Sequence, residues 1–193
     1  MLLRFSGIVG ILYCFAICVS GCTPSTPAET FPAEYQGNTS TVYGTGLKIN
    51  LKDPAAAASD FKWKDSTGVI HSLQEYQGRV VVLNFWAIWC GYCVNEMPDL
   101  QAVSQDLKAD SVVVIGVSID QTGNTFHDVS GFAKTLGVTY QIISDPQQTI
   151  YKNWSQENAL PQTFIIDATG AIRVYFNQGS NKKAFENAVK QVL

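Results

Sequence analysis

The sequence is poor in charge and in histidine. Of its 193 residues 15% are charged, with 13 cations against 16 acids and a net charge of −3. The missing basic excess excludes a nucleic-acid surface, and no nucleic-acid partner is expected. There are two histidines, His71 and His127. Neither is spaced with another metal ligand, so surface or capping roles are expected for both. No stretch of about 20 apolar residues interrupts the body of the chain, so no internal membrane span is expected. There is no internal repeat. A hydrophobic content of 46% over this length supports one ordinary globular domain rather than two.

Cysteine is also scarce, and its placement divides the chain. The first 22 residues, MLLRFSGIVGILYCFAICVSGC, carry one cation, Arg4, followed by an apolar run to Val19 and then small residues. This is the plan of a secretory signal. Its ending, Val19-Ser20-Gly21-Cys22, looks like a bacterial lipobox, in which Cys22 is lipid-modified and becomes the mature N-terminus; a plain signal peptide with an incidental Cys22, or an uncleaved anchor, is the alternative. The expected division is therefore a signal over residues 1–21, a Thr-, Pro-, Ser- and Gly-rich tether over 22–50, and a folded domain over 51–193. Cleavage removes Arg4 and no acid, leaving the mature chain one charge more negative than −3. Two or more acyl chains hold a protein on a membrane where one is marginal.

Of the five cysteines, Cys14 and Cys18 leave with the signal and Cys22 carries lipid. Cys90 and Cys93 remain, two residues apart. An exported domain meets an oxidising environment, and a pair so close in sequence closes too small a loop to stabilise much. The pair is therefore expected to serve chemistry. A zinc site needs about four ligands, usually from two clusters, and only one CxxC exists. A copper-delivery module would use CxxxC with a downstream histidine. A peroxidase would use a lone reactive cysteine. An inert disulfide in a binding module remains as a competing reading. The expectation is no metal and no cofactor beyond a redox-active Cys90–Cys93 disulfide.

Apolar periodicity changes along the domain. DFKWKDSTGVIHSL reads as a hairpin around Ser66-Thr67-Gly68. RVVVLNFW and SVVVIGVSID are continuous apolar strands of the kind buried on both faces of a parallel sheet. CGYCVNEMPDLQAVSQDLKAD has helical spacing at Met97, Leu100, Val103 and Leu107. VSGFAKTLG is a helix ending at Gly137, and VTYQII is a short strand. DPQQTIYKNW predicts a helix with Asp145 as N-cap and Pro146 at its first position. QTFIIDATGAIRVYF is a second hairpin, and NKKAFENAVKQVL a closing amphipathic helix. These alternations make an α/β layer structure.

VVLNFWAIWCGYCVNEMPDL, VVVIGVSID and LPQTFIIDATGAI together resemble the thioredoxin fold, and within it the TlpA/ResA-like extracytoplasmic branch. The resemblance spans roughly Phe61 to Leu193. It implies a central mixed sheet flanked by helices, with an N-terminal hairpin and an inserted βα unit. It also implies a thiol–disulfide oxidoreductase in lipoprotein form, facing the periplasm or the outer cell surface. Such an enzyme reduces disulfides of exported proteins, apocytochrome c among them, with electrons from a membrane thiol donor, and a monomer is expected. An oxidase or isomerase of the same fold is the alternative.

Cys90 lies where a strand ends and a helix begins, so free N–H groups and the helix dipole should lower its pKa from about 8.5. Cys93, one turn further in, should be better covered. Cys90 then attacks substrate and Cys93 resolves the mixed disulfide. Glu96 lies three residues past Cys93 on the same helix face; the family carries an acid here for proton handling, against a bland reading as a dipole-favoured first-turn glutamate. Pro98 should kink the helix. The resemblance implies that Pro161 is cis and faces the CxxC, with Leu160 offering backbone hydrogen bonds to substrate. Trp86 is a core residue, while Trp89 is expected to shield the site and contact substrate. Tyr92 replaces the proline common in thioredoxins, and no cation lies in the Gly91-Tyr92 pair. That favours a reductant within a range of about −270 to −120 mV.

Overall fold

A computed structural model describes residues 56–65, 67–121 and 126–193. The signal, Cys22, the tether and the start of the domain lie outside the described residues. Among the described residues no helix is long and apolar enough to cross a membrane.

The first strands, β1 (Lys62–Lys64) and β2 (Ile70–Ser72), pair antiparallel with Trp63 opposite His71. Asp65 closes their turn by accepting the N–H groups of Thr67 at 2.9 Å and Val69 at 2.8 Å. Gly68 takes a φ of 90° there, which its missing Cβ permits. His71 is not idle: its ring lies 5.7 Å from that of Trp63 in a stacked arrangement and its Nδ1 is 2.9 Å from Glu75.

The main sheet is built on β3 (Val80–Trp86), whose seven residues are all buried. It pairs parallel with β4 (Val112–Ser118), which pairs parallel with β5 (Gln141–Ser144). On its other side β3 pairs antiparallel with β6 (Gln162–Ile166), which pairs antiparallel with β7 (Ile172–Phe176). The order is β5-β4-β3-β6-β7. Parallel neighbours need crossovers, and these are the helices α1 (Gly91–Asp106) and α2 (Phe126–Thr135). A short α3 (Thr149–Trp154) precedes β6, and α4 (Lys182–Lys190) returns to pack against α1. Helices over both faces explain why VVVLNFW has no polar alternation: nearly every position meets protein, and burying each large apolar side chain stabilises by about 1.5–3 kcal/mol.

The core is aromatic near the end of β3. Phe85 and Phe164 meet edge to face at 6.0 Å, and Trp154 meets Phe164 at 5.3 Å. Such pairs add about 0.5–1.5 kcal/mol beyond the area they bury.

Three local expectations need correction. β5 begins at Gln141, not at Val138. His127 lies within the first turn of α2 rather than before it. α3 begins at Thr149, with Gln148 in the left-handed region at φ 56° as its N-cap, so Pro146 lies in the preceding turn. The reason is that the Asp145 N–H donates to the Ser118 carbonyl at 2.8 Å, pinning Asp145 to the end of β4. Its carboxylate still reaches the helix start, accepting from the N–H groups of Thr149 at 2.8 Å and Tyr151 at 2.9 Å.

Candidate active site

Strand β3 ends at Trp86 and delivers the chain to Cys90 through Ala87, Ile88 and Trp89. Asp120, fully buried just past β4, holds this passage by accepting the Ile88 N–H at 3.0 Å. Cys90 then takes the N-cap of α1 with extended backbone, and its Sγ accepts the N–H of Cys93 at 3.2 Å. The first N–H groups of a helix have no intrahelical partner, so sulfur at this position meets donors and the positive end of the dipole. Cys90 and Cys93 are joined as a disulfide with Cα atoms 5.3 Å apart. Cys93 is wholly buried, whereas Cys90 keeps 7% of its surface exposed. The expected difference in cover is therefore present, with the outer sulfur the one an incoming disulfide can reach.

Trp89 and Tyr92 stand out to solvent, 68% and 75% exposed. Most of the Trp89 surface is therefore open to solvent next to Cys90 in the chain. Trp86 is wholly buried, as expected of a core residue.

Glu96 is buried at 2% exposure in the second turn of α1, so it is no surface acid answering the helix dipole. It accepts the Asn84 side-chain amide at 2.8 Å and the Ser180 backbone N–H at 2.9 Å. Burial dominates and drives its carboxyl up; the two hydrogen bonds partly oppose this, and the charge of Asp99 adds to it. The result is a carboxyl raised from its ordinary 4.5 to about 7, poised to exchange a proton near neutral pH.

Asn84 escaped the sequence reading. It lies in β3 opposite Thr163 of β6, and its Nδ2 also donates to the Thr163 hydroxyl at 2.9 Å. The one signal was a polar residue inside VVVLNFW, which a strand buried on both faces admits only with a partner. Ser180 belongs to the β7–α4 connection, and this connection lies over α1. A Cβ built on Gly179 would be 3.5 Å from the Tyr92 Cβ and 3.8 Å from a Glu96 oxygen. The hydroxyl of the buried Tyr140 is held far above its ordinary range by burial and by the charge of Glu96.

Because β6 runs antiparallel to β3 with Gln162 opposite Phe85, its start lies at the sheet end where β3 leaves for Cys90. Pro161 precedes that start, buried, and the Leu160–Pro161 bond is cis as the resemblance implied. Leu160 is half-buried. The fold thus gathers Cys90, Cys93, Glu96, Trp89, Leu160 and Pro161 at one end of the sheet. Among the described residues no group of three or more His, Cys, Asp or Glu is placed to hold a metal ion.

The model of the AhpC/TSA family matches residues 54–175, well over half of the chain. The chain belongs to the AhpC/TSA family. Within it, the chain is 30% identical over 137 residues to the thiol-disulfide oxidoreductase ResA of Geobacillus kaustophilus (strain HTA426), covering 71% of this chain and 76% of that protein. It is 33% identical over 129 residues to the thioredoxin-like protein YneN of Bacillus subtilis (strain 168), covering 67% and 74%. Among solved structures, it superposes on a thioredoxin-family thiol:disulfide interchange protein from Chlorobium tepidum TLS with a TM-score of 0.62. The identity is 22%, over 72% of this chain and 96% of that one. StoA from Bacillus subtilis gives 0.57 at 22% identity, over 67% and 95%. At such identities the structures speak for the fold, which is the thioredoxin fold. With its Cys90–Cys93 disulfide, this AhpC/TSA-family protein is a thiol–disulfide oxidoreductase of the ResA/TlpA type.

Proposed function

We propose that the protein is an extracytoplasmic, lipid-anchored reductant of disulfides in exported proteins, apocytochrome c among them. The observation that carries this reading is Glu96: a buried carboxyl raised to about 7, one helical turn past a buried Cys93. Such a group suits an enzyme whose inner thiol must lose its proton during turnover.

In the reduced enzyme, Cys90 as thiolate attacks a substrate disulfide. A Cys90–substrate bond forms, the substrate S–S bond breaks, and one substrate thiolate leaves and takes a proton. The Cys93 thiol then gives its proton to ionised Glu96 and attacks the Cys90 sulfur. The Cys90–Cys93 disulfide forms and the second substrate thiolate departs, so two electrons have passed to the substrate. A membrane thiol donor returns two electrons and restores the dithiol. Trp89 packs on the substrate, and Leu160 and Pro161 receive its backbone by strand addition. The lipobox ending at Cys22 and the tether over 22–50 support the location, and the enzyme works as a monomer without a further cofactor.

The test is the reduction potential of the chain lacking residues 1–21, equilibrated with glutathione or dithiothreitol, together with trapping by Cys93→Ser. A reductant sits well below about −180 mV, and the Ser variant accumulates a Cys90 mixed disulfide. A potential at or above that value makes it an oxidase or isomerase. A disulfide resisting reduction far below about −300 mV, with nothing trapped, makes it an inert staple.

A further inference from the structure

Gln162 follows Pro161 and has a wholly buried side chain. A glutamine amide has two donor hydrogens and two acceptor lone pairs, and here all four are used. Nε2 donates to the carbonyls of Glu157 at 2.7 Å and Ala159 at 2.8 Å. The Ser155 and Tyr151 hydroxyls lie at 3.0 and 3.3 Å from the same nitrogen. Oε1 accepts the Gln156 N–H at 3.1 Å and the Tyr175 hydroxyl at 3.0 Å. One side chain therefore ties residues 156, 157 and 159 to each other and to β7.

The segment it ties, residues 155–160, has no helix or strand to order it and contains no glycine. It ends at Leu160, at the sheet end that carries Cys90. Its far side is tied as well: the Glu157 carboxylate accepts the Asn177 side-chain amide at 3.1 Å. Asn177 opens the same β7–α4 connection whose Ser180 N–H holds Glu96. No other uncharged side chain of this size could do the same work. Leucine would take the acceptor from the Gln156 N–H and the Tyr175 hydroxyl and leave the Glu157 and Ala159 carbonyls to the Ser155 and Tyr151 hydroxyls alone, and glutamate would set a carboxylate against two carbonyls.

We propose that Gln162 is a positioning residue for polypeptide substrates: its amide fixes the 155–160 segment so that Leu160 presents its backbone to the chain flanking a substrate disulfide. The enzyme thereby favours disulfides within an extended peptide over small disulfides that have no backbone to pair. This rests on Leu160 and Pro161 being the substrate-facing pair of the proposed function.

The experiment compares wild type, Gln162→Leu and Tyr175→Phe on two substrates, a peptide with one internal disulfide and hydroxyethyl disulfide, with the reduction potential measured alongside. For Gln162→Leu the KM for the peptide rises about tenfold, while kcat, the rate with hydroxyethyl disulfide and the potential stay within about twofold. Tyr175→Phe keeps the ring that stacks on Phe164 and removes one donor to Oε1; its peptide KM rises about two- to threefold. If Gln162→Leu fails to fold, Tyr175→Phe decides alone. Equal losses on both substrates, or a peptide KM unchanged in the folded variants, overturn the inference. A wild type that oxidises the peptide dithiol overturns the proposed direction but not this inference, which the KM of that reaction then tests in the same way. A wild type that exchanges with neither substrate overturns both.

Discussion

Replacing Glu96 by glutamine removes a buried carboxyl that the structure sets near neutrality, and the size of the effect can be worked out. Its carboxyl moves from an ordinary 4.5 in the unfolded chain to about 7 in the fold. At about 1.4 kcal/mol per tenfold change in proton affinity, that gap corresponds to about 3 kcal/mol. The sign follows from proton counts. Between the two values the folded protein keeps the proton and the unfolded chain has lost it, so stability falls as pH rises. The contribution is fully present below about 4.5 and lost once pH has passed about 7. Urea unfolding of the oxidised protein at about pH 5 and about pH 8 measures it, with the variant as reference. Other groups cancel in the difference, including Asp145, whose carboxyl burial also pushes up. The wild type loses about 2.5 kcal/mol relative to the glutamine variant across this window, the rest of the gap having gone already by about pH 5. Glutamine must also turn an N–H toward Asn84 or Ser180, which costs stability at every pH and leaves the slope unaffected. The same substitution removes the inflection near 7 from the pH profile of Cys93-dependent exchange. Parallel stability curves together with an unchanged exchange profile would refute the whole assignment to Glu96.

Asn84→Ala deletes a donor that favours ionised Glu96 and orphans part of a buried pair. The exchange inflection therefore moves above about 7, and urea unfolding shows a loss of about 1–3 kcal/mol. An inflection that moves down would contradict the hydrogen-bond argument. Gly116→Ala places a Cβ 2.9 Å from Ile142 Cδ1 and 3.1 Å from both Trp86 Nε1 and Tyr140 Cε2. Two of these neighbours are large rings in a packed core, so the urea midpoint drops by the equivalent of about 1–3 kcal/mol with the m-value unchanged. An unaltered midpoint would show that the sheet has room there.

Much of the fold was legible because burial on both faces leaves a local mark. VVVLNFW and VVVIGV read as inner strands, and both are. The helix after the CxxC showed in the spacing of Met97, Leu100 and Val103, all of which face the core. Element edges were less legible. The start of α3 depends on Asp145 being held by Ser118, 27 residues earlier in the numbering, and nothing in DPQQTIYKNW reports that bond.

The sequence by itself determined the chemistry: Cys90 and Cys93, set i and i+3 at a helix start, with an acid three residues on. Those are short-range relations, fixed by helix geometry whatever the rest of the chain does. Only the tertiary structure decided how that chemistry is tuned. Glu96 titrates near 7 because Asn84 comes from β3, Ser180 from the connection before α4, and the packed core keeps water away. Gln162 holds the 155–160 segment because the register of β6 against β3 turns it inward among carbonyls from residues 157 and 159. A residue's type and spacing are written locally, whereas its solvation and its hydrogen-bond partners depend on which distant segments the fold brings to it.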